Sequence, residues 1–488
     1  MDRSKTSHKN TILKSLAWKL LERGGSNGIS FIMQLVLARL LLPSDYGIVA
    51  LVSVFIAVAA IFVQSGIGTS LIQKKEIDNL DISSVFYLSL SIALLLYSLL
   101  FVSAPWIATF YENQSLIKVT RVLSLTLIIG SFNTVQTALL SRNMQFRSLF
   151  FCNVGASIFS GIAGITLAYL GFGVWALVIQ QLVRELGVTL ILFVVVSWKP
   201  TLNFSIQKVK ELYSFGWKLM ASSLLTTVYQ NLRNLVIGKK FSPSTLGYYN
   251  KGSSFPAFLI TNVSGSIQSV LFPALAAHQD DLERIKLMTR RSVSTSSFLV
   301  FPMMVGIMAV AKPLVLIVLT DKWLASVPFL QIVAVAYAFR PISAANLQAL
   351  NALGRSDIYL RLQIIKRVMG LSILAVSLFF GIYGIVIGEV IADVASFFVN
   401  VYPNRKILKY GYREQAKDIL PSFILSLVMG VVVYLITLLS YSPLVTMSIQ
   451  IVVGVVFYFS VAWLLKLECF TYLIETVKPI VKIRYKKS

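Results

Sequence analysis

The sequence predicts an all-α polytopic membrane protein: two six-helix bundles related as parallel repeats, then two C-terminal helices, about 14 transmembrane spans in all. Three observations predict it. The chain is 56% hydrophobic and 13% charged, with a mean hydropathy of +0.77. Its apolar runs reach the roughly 20 residues that a helix needs to cross a bilayer, and only short connectors separate them. One stretch is also written twice, because QLVLARLLLPSDYG (34–47) returns 200 positions later as NLVIGKKFSPSTLG (234–247).

In chain order, the first half places spans at 17–41, 46–72, 82–110, 118–140, 149–170 and 174–196. The second half places them at 214–238, 246–277, 292–310, 326–351, 362–380 and 384–403, and the spans at 419–440 and 444–466 lie outside the repeat. Lys19, Glu22 and Arg23 interrupt the first apolar run. It makes a poor signal peptide, so the N-terminus is expected to be uncleaved and cytoplasmic. An even number of spans returns the C-terminus to the same side. The connectors then assigned to the inside hold 27 Lys or Arg and those assigned to the outside hold 4. That asymmetry is the positive-inside rule at work.

The repeat extends past its fourteen residues. Trp18-Lys19-Leu20 recurs as Trp217-Lys218-Leu219, and LGFGVWALVI (170–179) is echoed by FGIYGIVIGE (380–389). Six spans per half is an even number, so both halves enter from one side and the repeat axis lies along the membrane normal. The expected domains are a bundle at 1–196, a cytoplasmic linker at 197–213, a second bundle at 214–403, and 404–488 with two spans and a basic tail.

Composition also excludes functions. The net charge of +24 is scattered through short connectors, which is orientation rather than a nucleic-acid face. Cys152 and Cys469 fall in or beside apolar segments and imply neither disulfide framework nor metal site. The histidines are His8, in the tail, and His278, at a helix end. No phosphate loop or HExxH motif accompanies them. Neither a catalytic residue nor a cofactor is expected.

Ionisable groups inside spans carry the functional signal, because each costs about 2.5–3.5 kcal/mol to insert and faces a cavity or a partner. Arg340 lies mid-span before Pro341, and Glu389 and Asp393, four apart, share one helical face. Arg184 and Glu185 are adjacent in the sixth span, and Gln230, Asn231, Arg233 and Asn234 form a polar cluster in the seventh. Lys251, Lys366, Arg367 and Arg23 complete the set. Basic groups outnumber acidic ones, so a cavity between the bundles is expected to be cationic and to suit phosphate, which Arg pairs bidentately. The expected phosphate ligands are Arg340, Arg233, Arg23, Lys251, Lys366, Arg367 and Arg184. Glu389, Asp393 and Glu185 are expected to couple an ion or balance charge, and Gln230, Asn231 and Asn234 to supply cavity polarity. Burial of Arg340 in a pair with Glu389 or Asp393 is the bland alternative.

LARLLLPSDYGIVALVSVF (37–55), QSGIGTSLIQKKEID (64–78), SRNMQFRSL (141–149) and LGFGVWALV (170–178) together resemble bacterial polysaccharide exporters. These form the lipopolysaccharide O-unit, colanic-acid and teichuronic-acid branch of the multidrug/oligosaccharidyl-lipid/polysaccharide exporter superfamily. The resemblance implies a V-shaped transporter of two six-helix bundles in the bacterial cytoplasmic membrane. It would alternate between inward- and outward-open states while moving undecaprenyl-pyrophosphate-linked oligosaccharides. It also implies that Arg23 matches a cavity-lining base of the related peptidoglycan-precursor flippase, and that spans 13 and 14 match that protein's extra helices. The partners expected are the glycolipid, membrane lipid, protons or sodium as coupling ion, and polysaccharide polymerase machinery, with no nucleic acid. The rival readings are a cation-coupled multidrug exporter of the same superfamily, which would prefer an acidic aromatic cavity, and a membrane glycosyltransferase or polymerase, which would need a large external loop.

Overall fold

The computed structural model describes residues 18, 21, 24–64, 67–439, 441–472 and 474–475. Arg23 lies outside the described residues. Every regular element among those described is a helix. The first elements are α1 (residues 24–40), α2 (Pro43–Gln64), α3 (Ile67–Gln73), α4 (Asn79–Phe110), α5 (Ser115–Leu123), α6 (Leu125–Arg142), α7 (Phe146–Tyr169), α8 (Val174–Val195) and α9 (Ile206–Lys240). Then come α10 (Pro243–Ala276), α11 (Leu282–Ala309), α12 (Ala311–Val318), α13 (Val327–Ala352), α14 (Ser356–Ser377), α15 (Gly381–Ile407), α16 (Tyr412–Leu435) and α17 (Pro443–Leu464).

Ten stretches among the described residues are long and apolar enough to cross a membrane. One of them, the 52-residue Ser356–Ile407, contains two of the expected spans as α14 and α15. Helices α9 and α10 stand where the seventh and eighth spans are expected and run to 35 and 34 residues. Their length exceeds what a bilayer requires at about 1.5 Å per residue. In α9, polar side chains such as Gln230, Asn231, Arg233 and Asn234 keep the helix out of the ten. The expected span 118–140 is broken at Ser124 into α5 and α6.

The outward faces of these helices are apolar. In α4 the most apolar window has a mean hydropathy of 2.3, yet only 22% of it is buried within the protein. Val194, Phe379 and Leu95 are left with 86%, 86% and 66% exposure. A water-facing fold would hide such surface, whereas a hydrocarbon solvent accepts it, provided that helices satisfy the backbone internally.

Packing divides the chain into two units, Met1–Gly247 and Tyr248–Ser488. Helix α9 falls in the first because it packs on α2, α3 and α4. Packing therefore splits the chain later than the repeat does. The connector ahead of α9 is tied down as well: Ser83 and Thr201 share a hydrogen bond of 2.8 Å, and the Ser205 N–H donates to Ser84 Oγ at 2.9 Å. Asp78 and Asp81 form a reciprocal cap at the start of α4. Lys74 reaches Asp81 at 2.9 Å and Lys208 reaches Asp78 at 3.0 Å. The Asp81 backbone N–H and the Lys208 ammonium hold the Asp78 carboxyl below the usual carboxylate range, so the cap is charged at neutral pH.

The two copies of the opening repeat meet within the first unit. A Cβ built on Gly47 would stand 1.8 Å from the Pro243 carbonyl oxygen, and one on Gly247 would stand 1.9 Å from that of Pro43. The first turns of α2 and α10 therefore touch backbone to backbone, each glycine against the other copy's proline. The helix starts are secured by different chemistry. In the first copy Asp45 accepts from the Leu42 N–H at 3.1 Å, and in the second Ser242 Oγ accepts from the Thr245 N–H at 3.2 Å. The weaker echo holds too, since Gly171 and Gly381 both take left-handed backbone, with φ of 80° and 71°.

The second unit packs α11 against α13 and α16, and α13 against α15, around Phe301, Met304, Ile342 and Val401. Helices α16 and α17 bury Tyr458, whose hydroxyl donates to the Phe298 carbonyl at 2.9 Å. Asn346, Asn404 and Gln415 close a buried amide network across α13, α15 and α16. Buried amide contacts of this kind tie the three helices in register.

Candidate functional site

The first unit contains a polar cavity of about 450 Å³. One wall is a face of α6, where Gly130, Asn133, Thr134, Thr137, Ala138 and Ser141 follow helical spacing. Gln64 at the end of α2, Gly68, Thr69 and Ile72 of α3, Asn153 of α7, and Arg184, Glu185 and Val188 of α8 complete the lining. The cavity thus runs from the level of Gln64 and Glu185 to the ends of α3 and α6, where the connectors 74–78 and 143–145 begin.

Arg142, the last residue of α6, ties that helix to the end of α3. Its guanidinium donates to the carbonyls of Leu71 at 2.8 Å, Ile72 at 3.2 Å and Lys75 at 2.6 Å, and also to that of Lys74. Leu71 and Ile72 belong to the last turn of α3, whose carbonyls lack helical partners, and Lys74 and Lys75 to the connector after it; Arg's planar fork serves several carbonyls at once. In the sequence, Arg142 is marked only as one of the connectors' positive charges.

Arg184 is exposed at the cavity and is the one basic residue among those lining it. Glu185 is half-buried beside it, and its Oε2 accepts from Asn133 Nδ2 at 3.4 Å. Asn133 is 9% exposed, and its Oδ1 is buried without a hydrogen-bond partner. Gly130 keeps this region open, because a Cβ there would come within 3.1 Å of Gln64 Nε2.

In the second unit, Arg340 of α13 is gripped by both acids of α15. Its Nε donates to Asp393 Oδ2 at 2.8 Å and its Nη2 to Glu389 Oε1 at 3.0 Å. The other Glu389 oxygen accepts from the Tyr249 hydroxyl at 2.9 Å, and the guanidinium lies 3.7 Å from the Tyr337 ring centroid. Pro341 has no N–H for the Tyr337 carbonyl, which loosens α13 at this point. The i, i+4 acids do share a face, as expected, and the basic residue between them carries their compensation. Both carboxylates accept from the one guanidinium, so Arg340 stands here as a paired group.

The remaining expected residues are dispersed. Lys251 is 5% exposed, with its ammonium 6.0 Å from the Trp323 ring centroid. Lys366 and Arg367 lie half-buried on α14, which packs on α15. Gln230 is exposed on α9, Arg233 and Asn234 are half-buried, and Asn231 is bonded back to the Thr227 carbonyl at 2.9 Å. Among the described residues, no group of three or more His, Cys, Asp or Glu could hold a metal ion.

Apolar helices long enough to cross a membrane, around a polar cavity, give the described residues the architecture of a membrane transport protein. The chain belongs to the polysaccharide biosynthesis protein family, whose model matches residues 36–328. It is similar to the succinoglycan biosynthesis transport protein ExoT of Rhizobium meliloti, with 28% identity over 68% of this chain and 67% of that protein. It is also similar to the lipopolysaccharide biosynthesis protein WzxC of Escherichia coli, with 26% identity over 83% and 84%. In fold it is similar to the lipid II flippase MurJ in an inward closed conformation, with a TM-score of 0.73, 16% identity, and coverage of 91% of this chain and 98% of that one. An inward-facing multidrug transporter of the MOP superfamily aligns with a TM-score of 0.60 and 16% identity, over 79% of this chain and 96% of that one.

Proposed function

We propose that the chain carries an undecaprenyl-pyrophosphate-linked oligosaccharide from the cytoplasmic to the outer leaflet of a bacterial cytoplasmic membrane by alternating access. The observation that carries this reading is the first-unit cavity, a polar space reaching mid-span in helices whose outer faces are apolar. Arg184 on its wall suits a pyrophosphate, as a forked donor that stays charged. The polyprenyl tail would remain in lipid, and only the charged and sugar portions need the polar path. ExoT and WzxC, named for succinoglycan and lipopolysaccharide biosynthesis, support a polysaccharide precursor as cargo.

Arg233, Lys366 and Arg367 would assist the phosphate, with Arg23 and Lys251 engaged in other states of the cycle. Glu389 and Asp393, held by Arg340, are the proposed coupling carboxylates, because a proton or sodium ion arriving there competes with the guanidinium. The moving bodies are the repeat units 1–196 and 214–403, with both termini cytoplasmic. Deletion of the gene is expected to remove the surface polysaccharide and to build up its lipid-linked precursor on the cytoplasmic face. Arg184→Met is expected to restore export about tenfold less efficiently than the wild type, the loss of one charge-assisted phosphate contact. Normal polysaccharide and no precursor build-up in the deletion strain would contradict the assignment.

A further inference from the structure

The connector between α8 and α9 carries apolar side chains on the outside of the protein. Leu202 is 95% exposed, and Phe204 and Ile206 are exposed beyond it. The polar positions among them are tied to the first unit. Thr201 shares its hydrogen bond with Ser83, and Ser205 gives its N–H to Ser84 while its hydroxyl caps α9, accepting from the Lys208 N–H at 3.5 Å. Ser83 and Ser84 are fully buried in α4. The segment is thus pinned along its polar side, and turning Leu202 inward would pull Thr201 and Ser205 off their partners. In the chain it stands between surfaces suited to lipid. Val194 ends α8 exposed, and Tyr213 and Trp217 are exposed on α9, the residue types that mark the headgroup level of a membrane. The acids at this edge are taken up, because Lys74 and Lys208 pair with Asp78, Asp81 and Glu211. Lys199 and Lys210 stand exposed on either side of the apolar trio in the sequence.

We infer that residues 202–206 are a membrane anchor: Leu202, Phe204 and Ile206 insert into the lipid leaflet at this end of the first unit, and Lys199 and Lys210 reach its headgroups. Apolar side chains flanked by lysines are the pattern of an element seated at the boundary of headgroups and acyl chains. Lipid is the occupant that the surroundings favour over a protein partner, since it already meets Val194 and Trp217 and needs no matched shape to cover three protruding side chains. The consequence is mechanical. The connector joining the two repeats is held to the first unit by hydrogen bonds and to the membrane by side-chain insertion, so α9 starts from a point of fixed depth. Seating of the segment is independent of the cargo, and its test needs no glycolipid.

The test uses the full chain in liposomes, carrying Cys152→Ala, Cys469→Ala and one new cysteine labelled with an environment-sensitive fluorophore. Leu202→Cys is compared with Val194→Cys as the lipid-facing reference and with Glu76→Cys, exposed in the connector before α4, as the water-facing one. The liposomes are phosphatidylcholine and phosphatidylglycerol, either plain or brominated in the acyl chains. Brominated lipid is expected to quench the label at 202 several-fold more than at 76, close to the level at 194. Iodide in the buffer is expected to quench it several-fold less than at 76. Phe204→Cys, labelled in the same way, is expected to follow Leu202→Cys, which separates the seating of the segment from any disturbance by one label. Quenching of both positions by iodide and not by brominated lipid would leave the segment in water, and quenching by neither would put it under protein. Either result overturns the anchor.

Discussion

Gly47→Ala and Gly247→Ala are each expected to destabilise the protein by about 2–3 kcal/mol, the upper range for overpacking a tight contact. The methyl would sit 1.8 Å or 1.9 Å from a proline carbonyl oxygen of the other repeat copy. Carbon and carbonyl oxygen approach no closer than about 3.3 Å, so the starts of α2 and α10 must part by about 1.5 Å. Because one displacement admits both methyls, the double variant should cost clearly less than the sum of the singles. Thermal unfolding of the purified chain reads this out. A Gly47→Ala chain that melts with the wild type, or a double variant whose cost is additive, would show that the two copies do not bear on each other.

Arg340→Met is expected to cost about 3 kcal/mol, the lower end for breaking a buried ion pair, because the guanidinium side chain keeps 38% exposure. Most of the cost comes from Glu389, whose side chain is 7% exposed and would lose its counter-charge. Arg340→Met combined with Glu389→Gln and Asp393→Asn removes all three charges and should recover most of the stability while remaining inactive in export. A direct phosphate contact at Arg340 predicts the opposite pattern: Arg340→Met would fold normally and lose export. Membrane abundance and melting temperature, measured beside rescue, separate the two.

The helical plan was legible because apolar length is a one-dimensional signal, and the repeat was legible because Pro43, Ser44 and Gly47 have irreplaceable counterparts in Pro243, Ser244 and Gly247. Spacing alone did not reveal why these glycines recur; their reciprocal approach to a backbone carbonyl supplies the reason. The acid pair Glu389 and Asp393 could be read from its helical spacing, and its partner Arg340 was already singled out as a charge in mid-span. Which of these charges neutralise one another depends on how α13 and α15 pack.

The cavity was harder to see. Charged residues stand out in apolar sequence, as Arg184 and Glu185 do. The uncharged stripe Gly130, Asn133, Thr134, Thr137 and Ser141 passed as ordinary span, although its i, i+3, i+4, i+7 spacing marks a polar helix face. Arg142 was likewise hidden, because its four carbonyl partners lie about 70 residues away and carry no sequence signal. Lys251, a charge within a span, is buried beside Trp323, a placement that depends on packing and carries no mark in the sequence.

The most direct test of the account is translocation by the purified full chain in proteoliposomes loaded with lipid-linked oligosaccharide from the deletion strain. Outer-leaflet oligosaccharide is followed by its accessibility to an impermeant glycosidase or lectin. The account predicts that the wild-type chain exposes the inner-leaflet pool and that Arg184→Met slows this about tenfold. Exposure no faster than in protein-free vesicles would contradict it.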